Sequence, residues 1–240
     1  TDAEVIIAQD QLIETVDQVK GETKLREVIV TSLAEVIPAQ PTIPVPDSVL
    51  APRIAVPGAT DLLPALAAIG DVKPLPPAAL DDVAALNYTG GTTGMPKGCV
   101  HTQRDMLFTG AVMGSISAHV GNTDVVINFW PIFWIAGEDV GIILPVITGA
   151  TCVLLARWDP IAYARAVERH KVTVSMMVVD NAVEIMSNPE AMKHNMRSLR
   201  EVLVASFVKK LNPAFRRGWR DLTGSTLREA AWGMTETHSF

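Results

Sequence analysis

The stretch YTGGTTGMPKG at positions 88–98 sets four glycines (90, 91, 94 and 98), three threonines (89, 92 and 93) and one lysine (97) between two apolar runs, 83–86 and 99–100. No helix can run through it, and it is a poor strand, because glycine gives up the most backbone entropy on folding and presents nothing to pack. What it offers is backbone N–H groups, hydroxyl donors and a cation in one place, which is the chemistry that holds a polyphosphate. A polar, glycine-rich hairpin turn has the same composition. Met95-Pro96 stiffens the approach to Lys97, however, and the threonines add donors that a bland linker lacks. The Walker A spacing, G-x-x-x-x-G-K-[ST], is not met: Pro96 precedes Lys97 and Gly98 follows it.

The rest of the chain alternates between two hydrophobic periods. Short apolar runs predict strands at 4–8, 27–31, 124–129, 151–156, 172–179, 202–205 and 227–231. Helical periods and start signals predict helices at 10–19, 61–69, 102–119, 133–147, 159–170, 181–186 and 212–224. Thr102 and Asp105 have capping-box character, and Asp159-Pro160 pairs an N-cap with a first-turn proline; Asn212-Pro213 starts another helix. Strand–helix–strand alternation at this spacing predicts an α/β fold of mostly parallel sheets flanked by helices, with the polar motifs at the sheet edge where such folds bind ligands. Ten prolines between 38 and 77 make long regular elements improbable there. The chain therefore divides into 1–36, the end of a first β-α-β subdomain, 37–80, a Pro-rich connector, and 81–240, a second α/β subdomain.

Hydrophobic content of 48% against 19% charged residues describes a packed globular protein, and a net charge of −6 argues against a general nucleic-acid binder. The basic pairs at 209–210 and 216–217 read as solvated faces. Cys99 and Cys152 sit in apolar surroundings and read as small buried hydrophobes of a reducing compartment, without a disulfide. The five histidines show no spacing with cysteines or carboxylates that would indicate a structural metal. Residues 140–156 carry no charge, but 17 residues interrupted by Pro145 and Gly149 suit a buried helix and strand better than a membrane span. The acidic start is unlike a signal peptide, and a cytoplasmic location is expected.

The 88–98 stretch resembles the phosphate loop of the AMP-forming, adenylate-forming enzymes, which include acyl-CoA synthetases, luciferases and peptide-synthetase adenylation domains. A second stretch, WGMTE at 232–236, is similar to that family's aromatic-Gly-x-Thr-Glu signature, and PIFWIAG at 131–137 resembles its helix-opening segment beside the acyl pocket. The resemblance covers roughly 80–240. It implies the large N-terminal domain of that fold and an ATP-dependent activation of a carboxylic acid to an acyl-adenylate and then a CoA thioester, with ATP, Mg2+ and CoA as cofactors. It places Thr89, Gly90, Gly91, Thr92, Thr93, Gly94 and Lys97 around the phosphates. Trp232 would lie against adenine with Gly233 beside it, Thr235 would meet the α-phosphate, and Glu236 would hold Mg2+. Trp134 and Gly137 fall to the acid pocket. Thr89, Lys97, Thr235 and Glu236 are the candidate catalytic residues.

Three departures qualify the resemblance. Trp134 stands where acyl-CoA synthetases often carry histidine, which keeps an aromatic wall and removes a titratable group. Phe133-Trp134-Ile135 offers no aspartate for a substrate ammonium, which tilts the expected substrate towards a fatty or aryl acid. Residues 205–210 are bulkier than the family's glycine- and alanine-rich loop, so no site role is carried over to Phe207. The ribose-binding aspartate, the hinge and the lysine-bearing C-terminal domain of the family are not matched, so the chain is expected to be a fragment that is inactive alone. A carboxylate adenylator with a different acyl acceptor and a non-catalytic nucleotide-binding module stand as alternatives.

Overall fold

The computed structural model describes residues 2–90, 94–230 and 232–239, so Gly91, Thr92 and Thr93 of the glycine-rich stretch lie outside the described residues. The chain forms two compact units, Thr1–Pro76 and Pro77–Phe240. In the first, strands β1 (Val5–Gln9), β2 (Glu27–Thr31) and β3 (Thr60–Asp61) form a parallel sheet in that order. Helix α1 (Ile13–Lys20), entered through a 3-10 turn at Asp10–Leu12, crosses between β1 and β2, and helix α2 (Leu62–Ala68) follows β3 directly. The proline-rich stretch thus contributes a strand to the first sheet. Buried Asp10 ties it down, its carboxylate accepting from the Gln11 and Ile54 backbone N–H groups.

The second unit is built on five parallel strands: β6 (Val125–Asn128), β7 (Thr151–Leu154), β8 (Val174–Val178), β9 (Glu201–Ala205) and β10 (Leu227–Glu229), in the spatial order β10-β9-β8-β6-β7. Before them, β4 (Val83–Thr89) and β5 (Lys97–Thr102) pair as an antiparallel hairpin that brackets the glycine-rich stretch. The polar turn of such a hairpin is what the composition allowed. Its ends do more than the glycine content suggested, since Tyr88 and Thr89 pair with Gly98 and Lys97 inside the ladder. Gly98 is a position of close approach: a Cβ there would stand 3.2 Å from Cζ of Tyr88, so the ring lies over the glycine.

The helices cover both faces of the sheet. Helix α3 (Gln103–Val112) widens into a π turn at Met113–Ser117; α4 (Ile135–Glu138) passes through a second π turn, Asp139–Ile143, into α5 (Leu144–Thr148). Helices α6 (Pro160–His170), α7 (Val179–Ser187) and α8 (Pro213–Thr223) complete the layers. Along β8, Val174 and Met176 join a core with Met113, Val140 and Leu144, while Ser175 and Met177 are buried as well. Burial of both parities is the mark of a central strand with helices on either side.

The helix starts follow local chemistry. Asp159 accepts from the Ala162 N–H, Asn212 from the Phe215 N–H, and Thr102 and Asp105 form a reciprocal capping box. One start differs from the sequence expectation: the helix expected from 133 begins at Ile135, with Trp134 extended at its N-cap and Phe133 in the preceding turn. The expected helices at 10–19 and 102–119 begin or end in tighter and wider turns, and strands 124–129, 151–156 and 172–179 are each shorter at their ends. Cys99 and Cys152 are half-buried rather than buried, and burial pushes the Cys152 thiol up to about 11. Among the described residues no helix is long and apolar enough to cross a membrane.

At the amino-terminal ends of the central strands, Arg200 forks onto Asp124, Nε to Oδ1 at 2.9 Å and Nη2 to Oδ2 at 2.7 Å, while the Thr173 hydroxyl donates to Oδ1. This joins the starts of β6, β8 and β9. The Arg200 hydrogen bonds, with those from the Gly121 N–H and Thr173 and against the cost of burial, hold the Asp124 carboxyl down to about 2. A depressed carboxylate stabilises the fold above its unfolded value near 3.8, and that contribution is lost as pH falls through about 2. With Arg200 partly solvated, the pair is worth about 1–2 kcal/mol. Urea titrations at pH 7, 4 and 2 should show Asp124→Asn closing the stability gap to the native chain as pH falls.

Candidate functional site

Strand order alone locates the cleft. From β6 the chain crosses to β7 on one side, and from β8 it crosses to β9 on the other, so β6 and β8 are neighbours whose connections leave in opposite directions. Such a switch point leaves a crevice beyond the carboxyl ends of the two strands. At the end of β6, buried Asn128 accepts the Trp130 N–H at 3.1 Å and donates to the carbonyls of Trp130 at 3.2 Å and Gly137 at 3.4 Å. One amide thereby fixes the turn 129–137. The Trp130 indole N–H donates to the Met176 carbonyl of β8 at 3.0 Å and closes the floor of the crevice.

A cleft of about 440 Å3 opens there, within the range of small-molecule sites. Thr89 and Gly90 of the hairpin end and Gly233, Thr235 and Glu236 of the downstream motif line it, together with an aromatic wall of Trp130, Phe133, Trp134 and Phe207. The Trp130 and Trp134 rings stack at 6.3 Å with planes 26° apart. Thus two motifs separated by most of the chain meet at one crevice with the 131–137 segment between them. Thr235 and Glu236 lie on a 3-10 turn, Thr235–Thr237, that follows β10. Among the described residues Glu236 takes part in no hydrogen bond or ion pair, so its carboxylate is available to a ligand.

Other sequence candidates stand apart from the lining. Lys97 is exposed and directly opposite Thr89, so the two side chains share one face of the ribbon, at the end next to the glycine-rich turn. Trp232 is 73% exposed and is not part of the lining. Gly94 is open to solvent. Gly137 is buried under the cleft rather than lining it: a Cβ there would stand 2.0 Å from the Pro131 carbonyl oxygen.

Sequence reading had no means to find what lies behind the cleft. His101 of β5, Thr109 of α3, Asp139 and His238 are all buried and meet in one polar hub. The two imidazoles pack edge to face at 4.6 Å, and Nδ1 of His238 lies 3.3 Å from both the Thr109 hydroxyl and Oδ1 of Asp139. Beside the hub, Asn87, which lines the cleft, donates to Glu138 at 2.6 Å. The Asp139 geometry is an approach and not a hydrogen bond, so both its oxygens lack a hydrogen-bond partner among the described residues. Burial, with Glu138 adding, pushes Asp139 up to about 7; burial, then His101, holds His238 below the usual imidazole range.

The fold and cleft define an α/β protein with a small-molecule site at the carboxyl edge of a parallel sheet. The model of the AMP-binding enzyme family matches residues 1–240, and the chain belongs to that family. It is similar to 4-coumarate–CoA ligase 1 of Oryza sativa subsp. japonica, 34% identical over 163 residues that cover 65% of this chain and 28% of the relative. It is also similar to 4-coumarate–CoA ligase 3 of Arabidopsis thaliana, 29% identical over 161 residues with the same coverage. Its fold matches an anthranilate CoA ligase solved with anthranoyl-AMP, with a TM-score of 0.74 at 20% identity, over 94% of this chain and 40% of that one. The N-terminal domain of FACL13 from Mycobacterium tuberculosis, solved with an inhibitor, gives 0.74 at 17% identity, over 99% and 52%. The fold is therefore that of the N-terminal domain of adenylate-forming enzymes, and the chain spans about half or less of the length of these proteins.

Two outcomes test this geometry. Gly137→Ala should lower stability by about 2 kcal/mol or more, because the colliding atom is backbone and cannot swing aside; a thermal melt reads it. An acid whose folded pKa is raised stabilises the fold below its unfolded value near 3.8 and opposes it increasingly as pH rises to about 7. The native chain should therefore lose on the order of 2–4 kcal/mol from this group between pH 4 and 8, and Asp139→Asn should flatten that part of the profile.

Proposed function

We propose that this chain is the nucleotide- and acid-binding part of an AMP-forming acid–thiol ligase, which activates a carboxylic acid as its adenylate and passes the acyl group to CoA. The observation that carries the reading is the convergence of Thr89 and Gly90 with Thr235 and Glu236 on one cleft walled by Trp130, Phe133, Trp134 and Phe207.

The chemistry joins two anions, so the site must gather positive charge and donors before it can position the carboxylate. Thr89 and Gly90 would donate to phosphate oxygens, with Lys97 on the same ribbon face as Thr89 adding charge. The Gly91, Thr92 and Thr93 roles remain those implied by the motif. Trp232, exposed and next in sequence to the cleft-lining Gly233, would offer a ring face to adenine, and Thr235 would donate towards the α-phosphate. Glu236 would hold Mg2+: an unpartnered carboxylate at the cleft suits a hard cation that prefers oxygen ligands. Mg2+ bound there would neutralise charge on the phosphate oxygens.

The aromatic wall favours an aryl acid over a flexible fatty chain, since stacked rings bind a planar group with little loss of entropy. Trp134 contributes area and no titratable group. Adenylation does not demand one, because the acid is already ionised at neutral pH.

ATP–pyrophosphate exchange by the full-length gene product, scanned over benzoates, cinnamates and fatty acids, tests the reading. Exchange should require an acid and favour the aryl series; acid-independent or absent exchange sinks the ligase proposal, and preference for fatty acids sinks the aryl assignment. Lys97→Ala and Glu236→Gln should each lower the rate by about 10- to 100-fold, the scale of losing one preorganised charge-stabilising group.

A further inference from the structure

The motif at 232–236 is held in place by something other than its own packing. Trp232 is 73% and Met234 39% exposed, Gly233, Glu236 and Thr237 face solvent, and the 3-10 turn that carries Thr235 and Glu236 buries none of its residues. Three residues of 3-10 helix cannot fix their own position. Among the described residues of 232–239, His238 alone is buried, at 1% exposure.

We propose that His238 is a positioning residue, whose imidazole anchors the turn that presents Thr235 and Glu236 to the cleft. Every element behind the cleft reaches it. The Thr109 hydroxyl of α3 donates to the His238 carbonyl at 2.6 Å. Having spent its hydrogen there, that oxygen turns its lone pairs to Nδ1 at 3.3 Å, which favours the tautomer with the proton on Nδ1. His101 of β5 packs its ring against the same imidazole, so the strand leaving the glycine-rich turn and the turn bearing Glu236 are referenced to one group. Asp139 closes the third side.

The backbone points the same way. His238 has φ of 46°, a left-handed conformation that costs a non-glycine residue about 1 kcal/mol or more and persists where surrounding contacts impose it. It ends the 3-10 turn, and the Met234–Ser239 bridge closes the loop across it, with the Thr237 hydroxyl donating to the Met234 carbonyl at 3.1 Å. The side chain sits in the protein while the turn stands out at the cleft, like a peg under a handle.

This role rests on the reading of Glu236 and Thr235 as nucleotide-facing groups, and the experiment separates the two. Affinities for Mg·ATP, for ATP in EDTA and for benzoate are measured by tryptophan fluorescence on the native chain, His238→Gly, His238→Asn and Thr109→Val, each with its melting temperature. Glycine accepts the left-handed backbone but removes the peg; asparagine tolerates that backbone and keeps a polar side chain. His238→Gly should weaken Mg·ATP binding by about 10- to 100-fold, the scale of misplacing a binding group by an ångström, and change benzoate binding by less than about 2-fold. His238→Asn should recover most of the loss, and Thr109→Val, close in shape to the native side chain, should show a smaller loss of the same kind. Unchanged Mg·ATP affinity in His238→Gly and Thr109→Val, or an equal loss for all ligands that follows melting temperature, would overturn the proposal. Should His238→Gly not fold, Thr109→Val decides alone. A native chain that takes no Mg·ATP overturns the ligase reading and this proposal with it.

Discussion

The buried amide of Asn128 connects the sheet topology to the cleft. It stands at the last position of β6, where the chain must leave the sheet, and both ends of the amide are engaged with the backbone of the turn that follows. An unpaired buried amide costs about 1–3 kcal/mol, so the turn is held as firmly as the residue is buried. From that turn come Trp130, Phe133 and Trp134, three of the rings that wall the cleft. Loosening it would disperse the wall without touching the sheet.

The cleft is thus a product of separate anchors that agree. The fork of Arg200 on Asp124 sets the strands at one end of the sheet, Asn128 sets the first loop at the other, and the polar hub of His101, Thr109, Asp139 and His238 relates the hairpin to the last turn. Polar groups at the site are backed from behind: Thr89 by the ladder that includes buried His101, Asn87 by half-buried Glu138, and exposed Glu236 by buried His238. Binding groups on short turns gain precision from such support, because a small displacement of a charge-bearing group is costly.

Much of the fold was legible because its signals are local. Asp159-Pro160, Asn212-Pro213 and the Thr102–Asp105 pair announce helix starts within four residues, and the apolar runs at β6, β8 and β9 need both faces covered. The meeting of the two motifs at the cleft was legible through their resemblance to one family, while residues 88–98 alone also allowed a plain hairpin turn. Pairing of Tyr88 with Gly98 and Thr89 with Lys97 was hidden by glycine content, since register depends on the partner strand and not on composition. Phe133 read as helical by period, yet the contact of Gly137 with Pro131 and the extended Trp134 delay the helix by two residues. The hub was invisible because its members lie on four elements and each looks ordinary where it stands. Phe207 was set aside as a bulky departure, and it proves to be part of the wall.

The central claim is that the hairpin end and the 232–239 turn form one nucleotide site across the carboxyl edge of the sheet. Hydrogen exchange of backbone amides, compared with and without Mg·ATP, tests it most directly. Exchange should slow at 88–98 and 232–239 together, with β7 and the first unit unchanged. Protection of only one of the two segments, or protection confined to residues away from the cleft, would contradict it.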